Sequence, residues 1–140
     1  MHRLNVVLTA TASDSHTWNL MYLELLLQEW GHTVTNLGPC VPPELLVRRC
    51  RELVPDLIVV SSVNGLGFSE GGELVRLIRG CAELADTPLV IGGKLGTGME
   101  DQTAEAERLR AEGFDLVVME AHGLGPLREF MESMCLKAMR

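Results

Sequence analysis

Asp14 and His16 stand two residues apart among small and hydroxyl side chains, and their types suit metal chemistry. A neutral imidazole is a good transition-metal ligand. A carboxylate hydrogen-bonded to its other nitrogen fixes the tautomer and raises the basicity of the ligating one. In an extended loop this spacing turns both side chains to one side, so the pair forms locally. The same residues also read as a helix start, with Asp14 as an N-cap near Thr17, and spacing alone does not separate a cap from a ligand pair. His32 has no carboxylate neighbour and is expected to be structural, whereas His122, two residues after Glu120, is a minor second candidate.

Three stretches combine glycine with hydroxyl residues: Ser13-Asp14-Ser15-His16-Thr17, Ser61-Ser62-Val63-Asn64-Gly65-Leu66-Gly67, and Gly92-Gly93-Lys94-Leu95-Gly96-Thr97-Gly98. Such segments let a backbone approach a ligand closely. None is a phosphate loop of the Walker type, because the one Gly-Lys is followed by Leu95. The dinucleotide fingerprint fails as well, with Glu70 where its third glycine belongs. Ser61 stands where a phosphoacceptor aspartate would end a third strand. A flavin sandwich lacks material, since aromatic residues make up 4% of the chain and Trp18, Tyr22 and Trp30 share one predicted helix.

The elements that position these residues follow from hydrophobic periodicity. Strands are expected over residues 4–8, 32–37, 57–61, 89–91 and 116–119. Helices are expected over 17–30, 43–53, 70–85, 103–112 and 124–139. Apolar runs without alternation mark strands buried on both faces, and strands separated by helices are joined by right-handed crossovers. The fold class is therefore α/β, a doubly wound, flavodoxin-like five-stranded parallel sheet with helices on both faces, forming one domain over residues 1–140. Ligands bind such sheets beyond the carboxyl ends of the strands, here the loops 9–17, 38–42, 61–72, 92–102 and 120–125. The apolar residues of the first helix spread beyond one stripe, which implies cover on two sides.

Composition excludes other classes. With 46% hydrophobic and 22% charged residues the chain reads as globular. No run approaches a membrane span, and the N-terminus leads straight into a strand, so neither membrane association nor export is expected and the expected location is cytoplasmic. A net charge of −7 with 12 scattered basic residues argues against nucleic acid. Arg48, Arg49 and Arg51 read as a solvated surface. The four cysteines are widely spaced and read as reduced thiols, with Cys40 alone near a ligand-edge loop.

Taken together, Ser13-Asp14-Ser15-His16, Ser61-Ser62-Val63 and Gly92-Gly93 resemble the signature of the cobalamin-binding family, Asp-x-His-x-x-Gly, then Ser-x-Leu, then Gly-Gly. The resemblance covers nearly the whole chain. It is strongest to the small subunits of glutamate (methylaspartate) mutases, in length, in the Ser-Asp-x-His opening and in Ser-Ser-x-x-Gly-x-Gly. It implies adenosylcobalamin as cofactor, with its dimethylbenzimidazole tail off the cobalt and in a slot of the domain. His16 would be the lower axial cobalt ligand and Asp14 its partner, within the loop Ser13, Ser15 and Thr17. Ser61 and Val63 would line the slot, with Ser62 and Gly65 also among the cofactor-binding residues. Gly92 and Gly93 would let the tail pass close to the backbone, Lys94, Leu95, Gly96, Thr97 and Gly98 would shape the rim, and Gly123 would close the far wall.

The resemblance further implies an isomerase component with no catalytic residue of its own, acting with a separate large barrel-type catalytic subunit in a hetero-oligomer. The alternatives are a cobalamin carrier or accessory module for a methyltransferase or radical enzyme, and a ligand-free flavodoxin-like domain. Two positions depart from the signature. Asn19 replaces its glycine, where an amide would either crowd the nucleotide tail or hydrogen-bond it, and Val63 replaces its leucine, a mild loss of apolar volume.

Overall fold

The computed structural model describes residues 2–98 and 102–139; residues 99–101 of the fourth ligand-edge loop fall outside them. Five strands, β1 (Asn5–Ala10), β2 (Thr33–Asn36), β3 (Leu57–Ser61), β4 (Leu89–Gly93) and β5 (Leu116–Met119), form one parallel sheet in the order β2-β1-β3-β4-β5. The helices are α1 (Trp18–Glu29), α2 (Pro43–Leu53), α3 (Gly67–Arg79), α4 (Thr103–Glu112) and α5 (Gly125–Ala138). This is the expected flavodoxin-like topology, and the order reverses beside β1.

Each strand serves two cores. Val6, Leu8, Val59, Val90 and Val118 pack with Leu20 and Leu27 of α1 and with Leu127 and Met131 of α5. Val7, Ile58, Val60, Ile91 and Val117 pack with α2, α3 and α4 on the other face. That double burial makes β3 apolar at every position up to Ser61. Three helices cover one face and two share the other.

Several boundaries differ from the sequence expectation. Strand β1 runs on to Ala10 because it pairs with β3 as far as Ser61. Helix α3 starts at Gly67 rather than residue 70: the Asn64 side chain accepts the Leu66 N–H at 3.1 Å and turns the chain into the helix early. It stops at Arg79, and a separate 3-10 turn spans Ala82–Leu84.

His32 ties the amino ends of β1 and β2 together, its Nδ1 accepting the Leu4 N–H at 3.1 Å. Burial first, and the neighbouring His2 second, lower its pKa below the ordinary 6.5. The unfolded chain therefore takes up this proton more readily, so the His32 contribution is present above pH 6.5 and is lost as pH falls through the lower folded value. Chemical denaturation of the parent between pH 7.5 and 5 should show that loss, and His32→Gln should lack that component.

Among the described residues no helix is long and apolar enough to cross a membrane. Arg49 pairs with Glu52, and Arg51 with Glu83, on the surface. Cys50 is buried, its thiol pushed up to about 12 by desolvation.

Candidate functional site

Beyond β1 the chain turns sharply, the Asp14 N–H donating to the Thr11 carbonyl at 3.0 Å, and this brings Asp14 into the interior at 1% exposure. Its Oδ1 accepts the His16 backbone N–H at 3.0 Å and faces the His16 ring nitrogen Nδ1 at 2.8 Å. Its Oδ2 accepts the Val63 N–H at 2.6 Å. Burial by itself would raise the Asp14 carboxyl, but the N–H groups of Val63 and His16, and then the imidazole, hold it below the usual carboxylate range. The carboxylate is thus ionised and suited to accept a proton from Nδ1. In the neutral tautomer that donates through Nδ1, the lone pair lies on Nε2, on a side chain 57% exposed.

The cap reading of Asp14 is excluded by the same bonds. Helix α1 begins at Trp18, its cap position is Thr17, and no side chain caps it. Asp14 instead spends its oxygens on the imidazole and on the loop after β3. Other contacts fasten these loops together. Ser13 donates through N and Oγ to Glu70 Oε1 at 3.3 and 2.8 Å, and Asn64 Nδ2 donates to Ser13 Oγ at 3.0 Å. Thr11 Oγ1 donates to Ser62 Oγ at 3.2 Å, and the Cys40 N–H donates to the Asp14 carbonyl at 2.9 Å.

A slot of about 230 Å³ opens between α1 and α5, over the carboxyl ends of β3, β4 and β5, and Val63, whose N–H donates to Asp14, lines it. Its walls are apolar: Leu23, Val59, Val90, Val118, Leu124 and Leu127. Gly92, Gly93 and Gly123 bring backbone to its surface, and Asn19, Tyr22, Ser61 and Glu120 supply the polar groups. A volume below the roughly 300–1,000 Å³ that encloses a whole small ligand suits one flat end of a larger molecule.

The structure divides the sequence-derived site residues into groups. Asp14 and His16 form the imidazole pair, Ser61, Val63, Gly92, Gly93 and Gly123 line the slot, and the Val63 N–H bond to Asp14 links the two groups. Ser13 and Ser62 tie loops together, Ser15 and Thr17 are exposed beside them, and a Cβ on Gly65 would strike Thr97. Lys94, Gly96 and Gly98 border a separate, more open depression shared with Arg110 and His122, while Leu95 is a core side chain at 1% exposure. Gly93 has φ +124°, and a Cβ there would strike the Ser62 carbonyl, so the fold itself requires glycine at that position. Among the described residues no carboxylate is bonded to His122, which is exposed in the turn after β5.

The slot walls on α1 and α5 were not among the expected site residues. Leu23, in step with the core residues Leu20 and Leu27 of α1, and Leu127 of α5 with Leu124 just before that helix, read by spacing simply as core. Only the topology shows that two helices leave a gap at their upper ends. The second apolar stripe of α1, Trp18, Met21, Tyr22 and Leu25, is exposed, Trp18 by 83%.

A bare metal ion needs three or four protein ligands, and among the described residues no three His, Cys, Asp or Glu side chains converge. One carboxylate-backed imidazole beside an apolar slot fits a metal whose other positions arrive already filled, as in a macrocycle with an attached aromatic tail. Fold and site thus define a doubly wound α/β domain that presents a carboxylate-backed imidazole and an apolar slot at its ligand edge. The chain belongs to the B12 binding domain family, whose model matches residues 4–130, and its role is to bind cobalamin.

The relatives agree with that assignment. The chain is 33% identical over 118 residues to the glutamate mutase sigma subunit of Carboxydothermus hydrogenoformans, covering 84% of this chain and 85% of that protein. It is 32% identical to the one of Treponema denticola, covering 82% of each. Among solved structures, a cobalamin-binding protein of Desulfitobacterium hafniense superposes with a TM-score of 0.67 at 23% identity, over 82% of this chain and 52% of that one. A response regulator of Aurantimonas reaches 0.69 at 20% identity, over 97% and 87%. These last two likenesses show the fold alone.

Proposed function

We propose that this chain is the cobalamin-carrying small subunit of an adenosylcobalamin-dependent carbon-skeleton mutase, converting L-glutamate to 3-methylaspartate together with a separate large barrel-type catalytic subunit in the cytoplasm. The observation that carries the cofactor part is the Asp14–His16 pair, with Nδ1 facing a buried ionised carboxylate on a side chain that is otherwise largely exposed. In this reading His16 would hold the cobalt of the cofactor through Nε2. The displaced nucleotide base lies in the slot between α1 and α5.

The division of labour follows from what the chain has and lacks. Asp14 holds the imidazole in its ligating tautomer, the loops after β1 and β3 fix its position, and the apolar walls exclude water from the base. Adenosylcobalamin held here would supply the radical chemistry of the rearrangement. The polar loop groups are committed to one another and to the cofactor, so substrate recognition falls to the other subunit. The exposed stripe of Trp18, Met21, Tyr22 and Leu25, starting two residues after His16, supports a partner that covers this edge. The glutamate mutase reading rests on relatives 27–33% identical over most of the chain.

The test is the electron paramagnetic resonance spectrum of cob(II)alamin bound to chain grown with ¹⁵N-labelled histidine. Ligation by His16 turns the three-line axial nitrogen splitting of unlabelled protein into a two-line one. A three-line pattern that persists with labelled protein leaves the benzimidazole on cobalt and overturns the assignment. Adding the large subunit should then convert an inactive chain into an active mutase.

A further inference from the structure

The segment that carries Asp14 and His16, Thr11 to Thr17, is neither strand nor helix, and apart from Thr11 and Asp14 its residues are exposed. Such a segment keeps one shape only where groups from elsewhere fasten it, because each free backbone residue gains entropy by moving. Asp14 is fastened by the Val63 N–H. The residue before it is fastened as well. Glu70, in the first turn of α3, accepts both the backbone N–H and the hydroxyl of Ser13 through Oε1, at 3.3 and 2.8 Å. Asn64 completes the arrangement. Its Oδ1 is engaged by the Leu66 N–H, which leaves Nδ2 to donate to Ser13 Oγ at 3.0 Å. The Ser13 hydroxyl thus accepts from Asn64 and sends its one proton to Glu70.

Neither Glu70 nor Asn64 lines the slot or belongs to either hydrophobic core. What they restrain lies one residue from the ligand pair. Asp14 fixes the imidazole only while Oδ1 reaches His16 and Oδ2 reaches Val63. Any shift of Ser13 passes to Asp14 through a single planar peptide unit. Loss of the Ser13 contacts therefore leaves the cores intact and lowers the population of chains in which Asp14 backs the imidazole. The apparent dissociation constant of a ligand rises in inverse proportion to the population able to bind it.

We propose that Glu70 is a positioning residue for the metal ligand: through Ser13, whose hydroxyl Asn64 orients, it keeps the loop in the arrangement in which Asp14 holds His16 ready to ligate. The inference rests on ligation by His16 under the proposed function.

The experiment titrates aquacobalamin into the parent, Glu70→Ala, Glu70→Gln and Ser13→Ala, followed by absorbance, with circular dichroism confirming that each variant folds. Glu70→Ala should bind about tenfold more weakly than the parent, having lost both hydrogen bonds to Ser13. Glu70→Gln, which keeps an acceptor oxygen, should recover most of the affinity. Ser13→Ala should weaken binding in the same direction, and combining it with Glu70→Ala should add less than the sum of the two losses. In the free chain, amide hydrogen exchange at His16 should be faster in Glu70→Ala than in the parent. In a His16→Ala background Glu70→Ala should change affinity by less than about twofold, because nothing remains for it to position.

Equal losses from Glu70→Ala with and without His16 make Glu70 a part of the fold or a direct cofactor contact, and overturn the inference. So does a Glu70→Ala chain that binds like the parent or whose His16 amide exchanges as slowly, and so does a Glu70→Gln chain as weak as Glu70→Ala. In each of these cases a two-line axial splitting from the histidine-labelled parent leaves the proposed function standing. A three-line splitting overturns that function and this inference together.

Discussion

Replacing His16 with alanine is expected to weaken cobalamin binding by at least about tenfold, since even outer partners of a metal-bound histidine are worth about 10–100-fold in affinity. The fold should survive. The His16 side chain is largely exposed, and its removal leaves Asp14 Oδ1 still accepting the backbone N–H at position 16 and Oδ2 still accepting that of Val63. Unfolding free energy should therefore fall by only about 0.5–1.5 kcal/mol, the net worth of the one hydrogen bond to Asp14 that is lost. The corrinoid that does bind should keep its own base on cobalt, leaving the slot between α1 and α5 unfilled. Absorbance titration measures both effects, and added imidazole should restore part of the affinity by entering the space the side chain vacates. A variant that binds as tightly as the parent, with an unchanged spectrum, would remove His16 from the coordination sphere.

The separation of binding from stability explains how much of this site was legible in the chain. Apolar runs such as Leu57–Val60 announce strands buried on both faces, and their alternation with helices leaves one parallel topology, so the sheet and the loops at its ligand edge follow from local pattern. Asp14 and His16 are close in sequence, and their bond forms within one turn. The long-range bond from Asp14 to Val63, which makes the carboxylate both buried and ionised, has no local signal.

The rim shows the opposite case. Lys94 to Gly98 follow the Gly92-Gly93 pair, and proximity suggests a shared surface. Gly93, with φ +124°, instead redirects the chain, and Leu95 drops into the core shared with α2, α3 and α4. A glycine pair marks a close approach in sequence without saying to what; here a Cβ at Gly92 would crowd Val118 and one at Gly93 would meet Ser62. The slot walls were hidden for a related reason. Leu23 and Leu127 are core residues by spacing and become ligand residues only because the face they cover has two helices for five strands.

Asp14→Asn should be costlier than loss of the imidazole, because it affects the fold and the site together. Three donors converge on the two carboxylate oxygens: the N–H groups of His16 and Val63 and the ring Nδ1 of His16. A carboxamide has one oxygen to offer, and its NH₂ must face a donor whichever way it is turned. Leaving a buried N–H unpaired costs about 1–3 kcal/mol. Turning the amide to spare Val63 removes the acceptor that fixes the His16 tautomer, so cobalamin affinity should also fall about 10–100-fold.

The acid limb of stability should change as well. Asp14 titrates below 3.8 in the folded chain, so the unfolded chain protonates first as pH falls. The carboxylate contribution is therefore complete above about pH 3.9 and is lost as pH drops through the folded value. Asp14→Asn lacks this contribution at every pH, and the difference in unfolding free energy from the parent should be large at pH 6 and shrink as pH is lowered past 3.8. A difference that stays constant across that range would mean that the carboxylate charge does not hold the loop, and with it the basis for a preset ligating tautomer at His16.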